Sequence, residues 1–198
     1  MTEAAIHSDP LPVGGISRRA NGWYGMLALI MTEAALFAYL EFSYYYFAVQ
    51  YGHEWLPELP KLHLSLPNTV ILLASSVTAQ IAQRGVESGR RPHLIWGLVA
   101  SIVLGAVFVF IQTLEWGEKT FTMSSAAYGS VFFTTTGFHM AHVVVGLIML
   151  VMVLIWAWLG YFDRRRNTPV IIGVVYWHFV DIVWLTIFFM FYLTPRLG

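Results

Sequence analysis

Five long runs of apolar and aromatic residues dominate the sequence, separated by short polar segments that carry Pro, Gly or charge. Each run is at or near the roughly 20 residues needed to cross a hydrocarbon core of about 30 Å at about 1.5 Å per residue. They predict helices over about 22–47, 67–83, 92–116, 126–159 and 170–193. The fold class is therefore all-α and integral to a membrane, a five-transmembrane-helix bundle. Between the first two helices, Gly52, Pro57 and Pro60 break any helical pattern, and Pro67 is expected in the first turn of the second, where its missing N–H costs little. That second run is the least hydrophobic. Asn68, Thr69, Ser75, Ser76, Thr78 and Gln80 would be poor lipid-facing residues, so it should be mostly covered by protein. Ala74, Thr78 and Ala82, and likewise Gly97, Ser101 and Gly105, recur every four residues, the small-residue spacing that lets membrane helices approach closely. The fourth run exceeds a vertical span and predicts tilt or an extension, and the fifth should stop before Pro195. No internal repeat and no second domain is visible: residues 1–20 read as a flexible cytoplasmic tail, 21–198 as one membrane domain. Residues 1–17 hold neither Lys nor Arg nor an apolar core, so a signal peptide is not expected.

Composition strengthens this picture. Of 198 residues 58% are hydrophobic and 11% charged, against roughly 25% charged in a soluble domain, and mean hydropathy is +0.65. Eleven basic and eleven acidic residues give zero net charge and no electrostatic footprint for nucleic acid. The absence of cysteine excludes disulfides, thiolate metal sites and Cys nucleophiles. Arg18, Arg19, Arg84, Arg90, Arg91, Arg164, Arg165 and Arg166 fall on one side of the predicted spans, and Lys61, Lys119 and Arg196 on the other. The positive-inside rule then places the N-terminus in the cytoplasm and the C-terminus outside.

Ionisable side chains at membrane depth cost at least about 2.5–3.5 kcal/mol on insertion scales, so each is a candidate functional group. The spans hold Glu33, then Gln112 and Glu115, then His139 and His142, then His178 and Asp181. Each His139/His142 and His178/Asp181 pair is three residues apart and shares a helix face. Glu33 and Asp181 each lie 11 residues from a cytoplasmic helix start, about 16 Å deep. This predicts a Glu33, His178 and Asp181 cluster, with His139 and His142 nearer the outside beside Gln112 and Glu115. Glu41 and Glu115, close to the outer ends, read as solvated or capping groups. The buried set fits a polar network holding helices in register, proton uptake or relay through Glu33, or metal binding. Against metal, no Glu-x-x-His of the di-iron kind occurs in the spans, and His-x-x-His is a weak haem signal. No Ser-His-Asp arrangement, phosphate loop or Gly-x-Gly-x-x-Gly turn is present, so no catalytic, cofactor-binding or metal residue is assigned.

Several segments carry a family resemblance. Gly25-Met-Leu-Ala-Leu-Ile-Met-Thr-Glu33, Pro67-Asn-Thr-Val-Ile-Leu-Leu-Ala-Ser-Ser76 and Gln112-Thr-Leu-Glu-Trp116 are similar to subunit III of haem-copper cytochrome c oxidases. So are Tyr128-Gly-Ser-Val-Phe-Phe-Thr-Thr-Thr-Gly-Phe-His139-Met-Ala-His142-Val-Val-Val-Gly146 and Tyr176-Trp-His178-Phe-Val-Asp181-Ile-Val-Trp184, the most specific pieces. The resemblance covers about residues 20–193.

It implies a non-catalytic subunit of a bacterial cytoplasmic-membrane oxidase that reduces O₂ to water and pumps protons. Haem and copper would sit in partner subunits, with none in this chain. The implied partners are subunit I as main contact, subunit II, a small subunit IV, and membrane lipid including bound phospholipid. Glu33 falls on the family's buried, carbodiimide-reactive carboxylate, and His139, His142, His178 and Asp181 on its polar positions in the last helices. Seven-helix members hold lipid in a cleft between their first two helices and the other five, and the resemblance here starts at what would be the third. Five-helix members also occur in quinol oxidases and among accessory proteins of nitric oxide reductase, which leaves the electron donor open. An autonomous proton channel or transporter would also line its path with carboxylates and histidines, but inverted repeats and paired helix breaks are not evident.

Overall fold

The computed structural model describes residues 21–52, 55–57 and 59–197. The expected N-terminal tail, with Arg18 and Arg19, lies outside them. Five long helices form: α1 (Asn21–Tyr51), α2 (Leu62–Glu87), α3 (Arg91–Gly117), α4 (Ala127–Trp158) and α5 (Thr168–Phe188). Each, with the helical continuation of the last, is long and apolar enough to cross a membrane.

The ends of the helices follow from local chemistry. α2 stops where Gly89 adopts φ 70°, and the Gly89 and Arg90 amides return to the Val86 and Gly85 carbonyls. α4 ends the same way at Gly160, φ 83°, with Gly160 and Tyr161 bonded to Ala157 and Trp156. Both are Schellman caps, which need a left-handed residue that only glycine supplies cheaply. Two boundaries depart from expectation. α2 begins at Leu62 rather than Pro67, because the Leu62–Leu66 segment continues the helical pattern and Pro67 is accommodated inside it. The last span does not stop before Pro195: Phe189–Leu193 widens into a π-helical turn, and Thr194–Leu197 resumes as a short α6. The Thr194 amide bonds the Phe189 carbonyl five residues back. Widening relieves the clash that a proline ring makes with the carbonyl four residues before it.

α5 is the central element. Two thirds (67%) of its span window is buried, against 11% for α1, and it packs on α1, α2 and α4 while α3 packs on α2 and α4. Trp177 of α5 wedges between two glycines: a Cβ on Gly105 would lie 2.7 Å from the indole and one on Gly146 2.9 Å. The α2–α3 seam is equally tight, since a Cβ on Gly97 would lie 2.8 Å from the Thr78 carbonyl oxygen. Ser101 and Thr78 join hydroxyls across it at 2.7 Å. The small-residue spacing thus marks real contacts, with one correction: Ala74 is exposed and Gly85 takes part instead, while Gly105 meets Trp177 of α5 and Leu147 of α4. Within this chain alone, one face of α2 is covered. Ser65, Asn68, Thr69 and Ser75 are buried, but Val70, Val77 and Ile81 point outward. Its low hydropathy belongs to one polar face turned inward.

Candidate functional site

The inward stripe of α1 runs through Met26, Ile30, Glu33, Phe37, Leu40 and Tyr44, at helical spacing. Glu33 therefore faces the bundle, where its Oε2 meets His142 Nε2 of α4 at 2.9 Å. The other ring nitrogen decides what this contact can be. His142 Nδ1 lies 2.6 Å from the Phe138 carbonyl oxygen, which can only accept, so Nδ1 carries a proton in every state that keeps this bond. One further proton then serves both Glu33 Oε2 and His142 Nε2. It sits on nitrogen, as an ion pair, or on oxygen, as a neutral pair, and the total charge is zero either way. The pair opens into a hollow of about 260 Å³ lined by Leu29, Ala141, Val145, Met149 and Tyr176. The phenyl ring of Phe37 packs edge-on against His142 at 5.0 Å.

A second chain of hydrogen bonds joins α5 to α2. Ser76 Oγ contacts His178 Nδ1 at 2.7 Å and also Asp181 Oδ2, while His178 Nε2 reaches Gln80 Oε1 at 3.2 Å. With Nε2 donating to the amide oxygen, two arrangements satisfy the rest. His178 Nδ1–H donates to Ser76, whose hydroxyl donates to the Asp181 carboxylate; or the Asp181 acid donates to Ser76, whose hydroxyl donates to neutral His178. These differ by one proton moved through the serine. Asp181 is 3% exposed, and its Oδ1 is buried with no hydrogen-bond partner. The same helix pair is pinned by indole N–H donation from Trp177 to Ser75 Oγ, 3.0 Å, and from Trp184 to Thr69 Oγ1, 2.9 Å.

The remaining candidates have other partners. His139 is 1% exposed; its Nε2 bonds the Val180 carbonyl at 3.2 Å, and its ring lies 5.0 Å from Trp184. Glu115 is not solvated as expected. It is buried, accepts Lys119 Nζ–H at 3.0 Å and the Tyr192 hydroxyl, and the ammonium rests 5.1 Å from the centre of the Phe132 ring. Gln112 Oε1 lies 3.5 Å from Asn68 Nδ2. Glu41, half-buried, accepts from the Thr186 hydroxyl in an exposed contact.

The expected clusters are thus regrouped. Glu33 pairs with His142, not with His178 and Asp181, and His139 and His142 do not lie beside Gln112 and Glu115. Counting along helix axes gives depth but not azimuth, and α1 turns Glu33 toward α4. Sequence reasoning missed Ser76, Gln80, Lys119, Tyr192 and Tyr176 as partners. Thr69 and Ser75 on α2 and Trp177 and Trp184 on α5 are spaced by about two turns in each helix, a signal that could have found the pairing. Among the described residues no three His, Asp or Glu side chains come together as a ligand set, and the three histidines of α4 and α5 have separate carbonyl, carboxyl, hydroxyl or amide partners.

The profile of the family described as Cytochrome c oxidase subunit III matches residues 18–195. The chain belongs to that family. Among relatives named Cytochrome c oxidase subunit 3, that of Pongo pygmaeus is 36% identical over 177 residues, that of Mus musculus 34% and that of Pelomedusa subrufa 33%. In each case the match covers 85% of this chain and 68% of the relative. Family membership together with five apolar helices makes this a multi-pass membrane protein and one subunit of a haem-copper oxidase complex.

Proposed function

We propose that this chain is the non-catalytic subunit III of a bacterial terminal oxidase, packed chiefly against subunit I and also meeting subunit II and a small subunit IV. It stabilises that assembly and passes protons toward it in a complex that pumps them. Its N-terminus lies in the cytoplasm and its C-terminus outside. The gathering of Arg84, Arg90, Arg91 and Arg164–Arg166 at one end of the bundle supports this orientation. The bacterial origin and the partner set follow the resemblance to short members of the family. Haem and copper, carried by partner subunits, supply the electron transfer and O₂ reduction.

The observation that supports the proton role is the Glu33–His142 contact, which sets a carboxylate and an imidazole where they can share one proton, beside a hollow at membrane depth. A carboxylate and an imidazole held together are neutral as a pair, which avoids the cost of a lone charge in lipid, and the pair changes charge only when a further proton enters or leaves it. The Ser76 chain is built on the same principle in the neighbouring helix pair.

The test is purification of the complex through a tag on this chain. Glu33→Gln should leave the oxidase assembled, with haem in the optical spectrum of the co-purified material, while lowering proton uptake per turnover. Failure of Glu33→Gln to join the complex would make the carboxylate a structural group. Stoichiometric iron or copper in the isolated polypeptide would overturn the non-catalytic assignment.

A further inference from the structure

The hollow of about 260 Å³ between α1, α4 and α5 offers polar atoms that the Glu33–His142 contact leaves unused. The proton shared in that contact lies between Glu33 Oε2 and His142 Nε2, so Glu33 Oε1 is a hydrogen-bond acceptor whether the pair is ionic or neutral. Tyr176 supplies the other polar atom. The residue is 3% exposed; its hydroxyl has no hydrogen-bond partner among the described residues, is not shut inside the bundle, and is the polar end of a ring that lines the hollow. The rest of the wall, Leu29, Ala141, Val145 and Met149, is apolar. An acceptor and a hydroxyl in an otherwise apolar recess suit a ligand that presents an O–H on a flat apolar body.

We propose that this hollow binds the ring of a hydroquinone carrying an apolar tail. One ring hydroxyl donates to Glu33 Oε1 and accepts from the Tyr176 hydroxyl, while Leu29, Val145 and the Met149 thioether cover the ring. Leu29 and Val145, 42% and 48% exposed, form the rim through which the tail leaves toward hydrocarbon. Depth decides the class of ligand. Glu33 stands twelve residues from the first residue of α1 and Tyr176 eight from that of α5, about 18 and 12 Å along their helix axes, in a hydrocarbon core about 30 Å thick. A phosphate or a free carboxylate is held at the bilayer surface by its hydration. A phospholipid or a fatty acid therefore brings only an acyl chain to this level, with no O–H for Glu33. A hydroquinone is uncharged, and its ring can enter. The oxidised ring can enter too, but its carbonyl oxygens only accept and would set a second acceptor against Glu33 Oε1. The site therefore selects the reduced form. This selectivity rests on the reading, under the proposed function, of Glu33 and His142 as a pair that shares one proton. Binding itself moves neither an electron nor a proton.

Native mass spectrometry of the full-length chain in neutral detergent, titrated without oxygen with decylubiquinol, decylubiquinone or decylbenzene, tests the proposal. One decylubiquinol per chain should be retained, preferred about tenfold over both other compounds, the discrimination expected when a buried acceptor is left without its donor. Tyr176→Phe should lower decylubiquinol retention about fivefold, as the loss of one hydrogen bond does. Val145→Trp, which fills the hollow and leaves Glu33, His142 and Tyr176 in place, should lower it at least about tenfold with helicity unchanged. Val103→Trp, on the exposed side of α3 and away from the hollow, should not. Retention of decylubiquinone or decylbenzene equal to that of decylubiquinol would show apolar partition only and overturn the proposal. So would undiminished decylubiquinol retention by Val145→Trp or by Tyr176→Phe. Proton uptake by Glu33→Gln is read in the assembled complex, and ligand retention in chains that keep Glu33, so either reading can fail without the other.

Discussion

Replacing Ser76 with Ala isolates the link between α2 and α5. The hydroxyl accepts or donates with His178 Nδ1 at 2.7 Å and bonds Asp181 Oδ2, so one small change removes two interhelical hydrogen bonds. Interhelical bonds in membranes average about 0.6 kcal/mol and reach about 1.7, whereas bonds to charged groups in water-soluble proteins are worth about 1.5–3. Asp181 decides which end of the range applies. It is 3% exposed and its Oδ1 is already without a partner, so Ser76→Ala leaves the carboxyl with none. The expected loss is about 2–3 kcal/mol, a factor of about 30 to 150 in the unfolding constant. Equilibrium unfolding of the detergent-solubilised chain, followed by circular dichroism, measures it. Ser43→Ala is the control, because Ser43 bonds only the Tyr39 carbonyl of its own helix; its effect should stay within about 0.5 kcal/mol. In an Asp181→Leu background, Ser76→Ala should cost at least about 1 kcal/mol less than it does alone. A loss no greater than that of the control, or an equal loss in both backgrounds, would refute the shared hydrogen-bond chain.

Other outcomes follow from the same geometry. Gly97→Ala, whose Cβ would press on backbone atoms of Thr78 and Ala82, should cost about 1–3 kcal/mol in the same unfolding assay, as overpacking does. Gly25→Ala, with open space around its Cβ, should cost nothing comparable. Lys119→Met leaves the buried Glu115 carboxylate without its cation and should destabilise by about 3–5 kcal/mol, largely restored by Glu115→Gln in the same chain. The Asp163 carboxyl is held below its ordinary range by the Arg166 amide first and the Arg165 amide next. Its stabilising effect is therefore present above the unfolded value of about 3.9 and is lost as pH falls through the lower folded value. Asp163→Ala should accordingly lower the midpoint slightly at pH 7 and converge on the unaltered chain in acid.

How much of this was legible in the sequence depends on the kind of signal. The five helices were readable because length and hydropathy act over some twenty residues and a few polar substitutions cannot mask them. The inward direction of the ionisable groups was readable too, since lipid tolerates them poorly. What residues 33, 142, 178 and 181 touch was not. Depth along an axis follows from counting, but partnership depends on how neighbouring helices are rotated, and α1 could have turned Glu33 toward α5 as easily as toward α4. Ser76 and Gln80 were hidden for another reason: uncharged hydroxyls and amides are common between membrane helices, and only the structure shows which ones meet an ionisable partner. The Glu115–Lys119 contact is a simple four-residue helical spacing, overlooked because both residues lie close to a predicted helix end. Pro195 misled for a physical reason, since a π turn lets a helix absorb a proline that would otherwise end it.

On this geometry Glu33 and His142 share one proton while His142 Nδ1 keeps its own. Nitrogen-15 solid-state NMR of the chain labelled at histidine, in lipid bilayers, reads both ring nitrogens of His142 directly. Nδ1 should be protonated, donating to the Phe138 carbonyl, and the Nε2 signal should change on Glu33→Gln but not on Asp181→Asn. An unprotonated Nδ1, or an Nε2 signal indifferent to Glu33, would contradict it.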